Sequence, residues 1–139
     1  MNEIWKAVVG HSGYEVSSLG RVRSLDRQWK QKGRYGNTYT RYLTGRLLKP
    51  GAASNHYPTV AIGKGNTRLV HSLVASAFLG PCPAGQEVRH KEGNRMNPRL
   101  DNLCYGTRSD NIYDAIRHGT WMSAARIAHC KKLRSFPRA

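Results

Sequence analysis

The sequence predicts an α+β protein: short antiparallel strands through an N-terminal module, then a helix, then a compact strand–loop–strand–helix unit and a basic tail. Three observations carry this. Short runs that alternate apolar and polar residues are cut by glycine turns. Apolar residues then recur at helical spacing after residue 70. Finally, a polar loop leads into a Thr-x-x-Asp helix start at residues 107–110.

Taken in order, residues 3–6 and 14–17 alternate as half-buried strands do, with Gly10, Gly13 and Gly20 marking turns between them. Residues 21–25 continue the alternation, so that Arg21 and Arg23 share one face. From residue 21 to residue 49 nine Lys or Arg stand against one acid, Asp26, and Trp29, Tyr35, Tyr39 and Tyr42 are interleaved with them. Charges that neutralise phosphates beside rings that pack on sugars or bases describe a nucleic-acid-following arm. Its expected contacts are Arg21, Arg23, Arg27, Lys30, Lys32, Arg34, Arg41 and Arg46. Residues 47–50 and 57–62 read as further strands. The Gly63-Lys64-Gly65-Asn66 turn closes a hairpin with residues 67–70. That turn lacks the spacing of a phosphate-binding loop.

Val70, Leu73, Val74, Ala77 and Phe78 form one face of the first helix, which Gly80, Pro81 and Pro83 stop. His71 reads as a hydrogen-bonded packing residue. Thr107 and Asp110 open the second helix, with Ile112, Ala115 and Ile116 as its apolar face and Gly119 as its stop. The boundaries expected are a basic β-rich module at 1–70, a helix plus the chemical unit at 71–119, and a helical or disordered tail at 120–139. His129 and Cys130 in that tail lack a second ligand pair for zinc.

Bulk properties narrow the function. With 139 residues the chain is one domain's worth. Twenty-three Lys and Arg against eight Asp and Glu give +15, and the pI is about 10.4. That imbalance points to a polyanionic partner, most simply nucleic acid. No apolar run approaches the 18 residues of a membrane span, and no bulky amphipathic helix suggests a membrane surface. The first residues lack a secretory pattern, so a cytoplasmic location is expected, with Cys82, Cys104 and Cys130 as reduced thiols.

The chemistry concentrates in residues 88–111. A strand at 87–90 ends on His90, a loop of Gly93, Asn94, Asn97 and Pro98 follows, and a second strand at 103–105 leads to the helix. This places His90 opposite Asn111, with Asn102 between them in sequence. The segment H-K-E-G-N-R-M-N, the later L-D-N-L, and the spacing of His90, Asn102 and Asn111 resemble the HNH nucleases, specifically the phage and intron-encoded homing endonucleases. W-K-x-x-x-G-x-S-G-Y-x-V-S-S-L-G-R-V-R-S near the start and V-H-x-L-V-A-x-A-F-L-G in the middle extend the resemblance over residues 3–119.

The resemblance implies a ββα-metal motif and a metal-dependent endonuclease acting on double-stranded DNA, in the host cytosol if the chain is phage-encoded. An imidazole titrating near neutrality suits His90 to be the general base. Asn111 offers a neutral oxygen to Mg2+ or Mn2+, and Asn102 ties the loop to the strand. One such site nicks one strand, so a monomer nicks and a homodimer can break both.

One position departs from the pattern. These nucleases often carry a metal-binding Asp just before the histidine, where this chain has Arg89. Either Glu92 or Asp101 replaces it, or Asn111 acts with phosphate and water, or Arg89 clamps the scissile phosphate. His118 is too distant, about 10 Å along the helix from Asn111. The alternative readings are a DNA-binding protein of the same fold with weak or lost cleavage, and a basic RNA-binding protein.

Overall fold

The computed structural model describes residues 2–119, and the expected tail with its His129–Cys130 pair lies outside them. The fold is α+β, built from small antiparallel sheets and two helices. A meander of β1 (Trp5–Ala7), β2 (Tyr14–Ser17) and β3 (Val22–Ser24) comes first. Val16 and Val22 face each other across it and are almost fully buried. The turn between β2 and β3 needs glycine: Gly20 has φ +81°, and a Cβ there would stand 2.5 Å from Cγ of Pro98. This close approach, with Leu100 N–H donating to the Ser18 carbonyl at 2.9 Å, seats the later polar loop on the N-terminal sheet.

The basic segment is an ordered hairpin of β4 (Arg27–Lys32) and β5 (Thr38–Leu43), paired from Arg27 opposite Leu43 to Lys32 opposite Thr38. Every residue of both strands is exposed. A two-stranded ribbon without a covered face is only marginally stable in water, so this element suits a surface that gains order from a partner. The strand expected at 47–50 does not form. Leu47 makes one isolated bridge to Arg23, Leu48 turns inward against the core, and Pro50 has no N–H for a ladder. The chain pairs only afterwards, in the sheet β6 (Gly51–Ala52), β7 (Pro58–Ala61) and β8 (Thr67–Leu69).

Helix α1 (Val70–Phe78) follows β8 directly, with no side-chain N-cap. Its stability therefore comes from tertiary packing. Val70, Leu73 and Val74 join Val16, Val22, Val60, Ile62 and Leu103 in a single hydrophobic cluster. Residues from the N-terminal module and from the unit after residue 71 thus share one core. Strands β9 (Gln86–His90) and β10 (Leu103–Thr107) pair antiparallel, joined by a polar loop and a short 3-10 turn at Leu100–Asn102.

Helix α2 (Arg108–Arg117) starts on the expected capping box: Thr107 Oγ1 accepts from Asp110 N–H, and Asp110 accepts from Thr107 N–H. Its buried residue is not apolar, however. Asp114 is the most enclosed side chain of the helix, while Ile116 is 37% exposed. The expected apolar face is thus only partly used, because the helix meets the hairpin through an ion pair.

Candidate nuclease site

Strand β9, the loop after it and helix α2 border a cleft of about 460 Å3, lined by His90 and Asn111 together with Glu87, Arg95 and Arg108. The sequence brought the first two together, and the structure does the same. His90 ends β9, paired with Leu103 of β10, and is 7% exposed. Its ring lies 5.1 Å from that of His71 and 5.7 Å from that of Tyr57. Arg95 sits 5.6 Å above Tyr57. Burial, and then the Arg95 charge, lower the pKa of His90, so the imidazole is neutral at physiological pH.

His71 lies in the first turn of α1 and is equally enclosed. The expectation of a hydrogen-bonded packing residue holds for its burial but not for its bonding. Its Nδ1 has no hydrogen-bond partner among the described residues, and neither has Nε2 of His90. Desolvation, and then His90, push its pKa down to about 4. Two neutral imidazoles edge to face, with Tyr57 against both, form the inner wall of the site.

Asn102 is 2% exposed and holds the loop from within. Its Oδ1 accepts from Glu92 N–H at 2.9 Å, and its Nδ2 donates to the Asn97 carbonyl at 2.9 Å. Its own carbonyl accepts from Lys91 N–H at 2.8 Å. These bonds fix the chain immediately after His90, so Asn102 reaches the chemistry only through the backbone. His118 closes the loop from outside, its Nε2 3.1 Å from the Lys91 carbonyl. Gly93 makes room for it, since a Cβ there would lie 2.7 Å from the His118 ring.

Arg89 does not stand free in the cleft. Its Nε donates to Asp114 at 2.8 Å and its Nη2 to the same oxygen at 2.5 Å. The side chain runs across Gly106, where a Cβ would come within 2.2 Å of its Cδ. The pair joins β9 to α2, which argues against the expected phosphate clamp. Of the carboxylates expected to take its place, Glu92 accepts from Asn97 Nδ2 at 3.1 Å and Asp101 pairs with Arg99 at 3.5 Å. Neither lines the cleft.

The sequence reading missed Glu87, whose Oε1 accepts from Asn111 Nδ2 at 2.7 Å. Two residues before Arg89, it lies on the same face of β9, a parity that sequence could have exposed once the strand was recognised. Among the described residues no group of three or more His, Cys, Asp or Glu could hold a metal. An amide and a carboxylate at one cleft edge nevertheless form a hard-oxygen set of the kind Mg2+ accepts with water and phosphate.

The expected DNA contacts divide by their surroundings. Arg21 pairs with Glu3 and Arg23 with Glu15, Arg23 also stacking 4.1 Å over Trp5. Arg27 lies 5.4 Å over Tyr14. Arg41 donates to Gln31 at 3.4 Å, while Lys30 and Lys32 project from the exposed hairpin. Arg34 occupies its turn, and Arg46 is exposed beside β3, with its backbone bonded to Ser24.

A buried histidine at the end of a β-hairpin thus shares a cleft with a helix and two arginines, in a ββα unit carried on a β-rich N-terminal part. Residues 68–113 match the HNH endonuclease family model, and residues 3–63 match the NUMOD4 motif. Over these two stretches the chain is similar to the HNH homing endonucleases.

The DNA endonuclease I-HmuI of Bacillus phage SP01 is 31% identical over 120 residues, covering 84% of this chain and 59% of that protein. The H-N-H endonuclease F-TflII of Escherichia phage T5 is 31% identical over 104 residues, covering 70% of this chain and 53% of that one. A solved structure described as DNA binding and cleavage by the HNH homing endonuclease I-HmuI superposes with a TM-score of 0.65 at 27% identity. It covers 92% of this chain and 66% of that one. The chain thus spans just over half the length of both curated relatives. Members of this family generally use a divalent metal. Among the described residues no helix is long and apolar enough to cross a membrane.

Proposed function

We propose that the chain is a metal-dependent endonuclease that hydrolyses phosphodiester bonds in double-stranded DNA, nicking one strand per site. The observation that carries this is the shared cleft, where a neutral, enclosed imidazole meets an amide and two guanidinium groups. DNA as substrate is supported by the two phage relatives and by the DNA complex of the structural neighbour.

In this reading His90 takes a proton from the attacking water, and the new P–O bond forms as the P–O3′ bond breaks. Arg95 and Arg108 bind the non-bridging oxygens and align the phosphate. Asn102 keeps the backbone beyond His90 from shifting, and His71 and Tyr57 keep its ring desolvated. Asn111 would hold Mg2+ or Mn2+, which supplies charge stabilisation at the phosphate and the leaving oxygen.

The exposed hairpin, through Arg27, Lys30, Lys32, Arg34 and Arg41, follows the backbone outside the cleft, with Arg21, Arg23 and Arg46 beside it. Supercoiled plasmid incubated with the protein and either cation is expected to become nicked circle, and a chelator to stop it. Plasmid left intact under both cations would overturn the reading.

A further inference from the structure

We propose that Glu87 supplies the carboxylate ligand of the divalent cation, forming with Asn111 a two-residue metal site displaced along β9 from position 89. The proposal deepens the reading of the same cleft and rests on it.

Residue 89 cannot serve. Its guanidinium is cationic and bound to Asp114. Asp114 is held there in turn, with Arg117 3.8 Å from its other oxygen. Asp110 is committed to the Thr107 cap, Glu92 to Asn97 and Asp101 to Arg99. Among the described residues Glu87 forms no salt bridge, and its carboxylate is on the cleft wall.

Strand alternation directs Glu87 to the face of β9 that meets α2, where Arg89 also points. Arg89 meets the second turn of the helix at Asp114, and Glu87 meets the first turn at Asn111. Glu87 and Asn111 also line the adjoining cleft of about 660 Å3. They therefore stand where two surface depressions adjoin.

The spacing suits a small hard cation. Adjacent ligands of octahedral Mg2+, each about 2.1 Å from the ion, stand about 3 Å apart. Glu87 Oε1 and Asn111 Nδ2 are 2.7 Å apart. Turning the Asn111 amide end for end places Oδ1 where Nδ2 now donates, and a few tenths of an ångström of opening admits the ion. One carboxylate oxygen and one amide oxygen leave the remaining positions to water and a phosphate oxygen, the set Mg2+ ordinarily keeps.

The test is Mn2+ binding by the intact chain without DNA, read from the loss of the free-ion electron paramagnetic resonance signal. Wild type is expected to bind one Mn2+, and Glu87→Gln to bind at least about 10-fold more weakly, since losing even a group that only orients a ligand costs that much. The glutamine oxygen still accepts from Asn111, so the thermal melting curve should not move. Glu92→Gln and Asp101→Asn should bind as wild type does.

Three outcomes would overturn the proposal: no wild-type binding at millimolar Mn2+, undiminished binding by Glu87→Gln, or loss of binding in either control. Plasmid nicking is scored separately. Intact plasmid beside a Glu87-dependent Mn2+ site would overturn the nuclease reading while leaving this ligand assignment standing.

Discussion

Acid should unfold this protein earlier than its carboxylates alone would dictate, because a pair of enclosed histidines must stay neutral in the native state. His71 falls from an ordinary 6.5 to about 4 in the fold, through burial and the neighbouring His90. The unfolded chain takes up a proton near pH 6.5 that the folded chain refuses until about pH 4. The stabilisation is therefore complete above about pH 6.5 and lost as pH falls toward 4. For His71 alone the loss amounts to about 2 kcal/mol by about pH 5 and about 3 kcal/mol near pH 4.

His90 is shifted in the same direction and adds to the loss. Glu3, lowered to about 2 by its bond to Arg21, loses its contribution only as pH falls through the ordinary carboxylate range toward 2. The window between about pH 7 and pH 5 thus reports on the histidines. Urea denaturation across that window is the assay, with His71→Phe as the comparison, since a ring of similar shape removes one titrating group. Wild type should lose about 2 kcal/mol more than His71→Phe between the two ends. Equal losses in both proteins would refute the assignment of a buried neutral His71.

Other outcomes follow from single contacts. Asn102→Ala removes bonds to the backbone of Glu92 and Asn97 and leaves enclosed polar groups unpaired. It should cost about 2–4 kcal/mol by chemical denaturation, with nicking lost in step. Arg89→Ala strands the enclosed Asp114 carboxylate and should cost about 3 kcal/mol, partly recovered by adding Asp114→Asn. An Arg89→Ala protein as stable as wild type would show that the pair is not a strut. Replacing Lys30 and Lys32 on the exposed hairpin should lower the salt dependence of DNA binding by about one phosphate's slope per lost contact. An unchanged slope would remove these lysines from the DNA-binding surface.

Much of the site was legible because it is local in sequence. Thr107 and Asp110 are three residues apart, and that spacing alone located the start of α2. His90, Asn102 and Asn111 fall within one hairpin and one helical turn, and the loop glycines and asparagines showed where the chain reverses. What escaped depended on distances along the chain that only packing closes. Arg89 meets Asp114 across 25 residues, and Glu87 meets Asn111 across 24.

Helical periodicity suggested that Ile112, Ala115 and Ile116 would face inward, but an ion pair governs how α2 docks. Helical spacing also found the buried face of α1. It could not show that His71 would end edge-on to His90, because the turn between them in space is made by the core. In sequence the basic run reads as an arm, interrupted at Gly33, Gly36 and Asn37. Those residues are instead the turn of the β4–β5 hairpin, where Gly33 N–H donates to the Asn37 carbonyl at 2.7 Å.

Catalysis in this cleft depends on His90 as the base. Single-turnover nicking of supercoiled plasmid by wild type and His90→Ala, at matched DNA binding, tests this most directly. The variant is expected to nick at a rate lower by about 10²- to 10⁴-fold. Nicking at the wild-type rate in His90→Ala would contradict it.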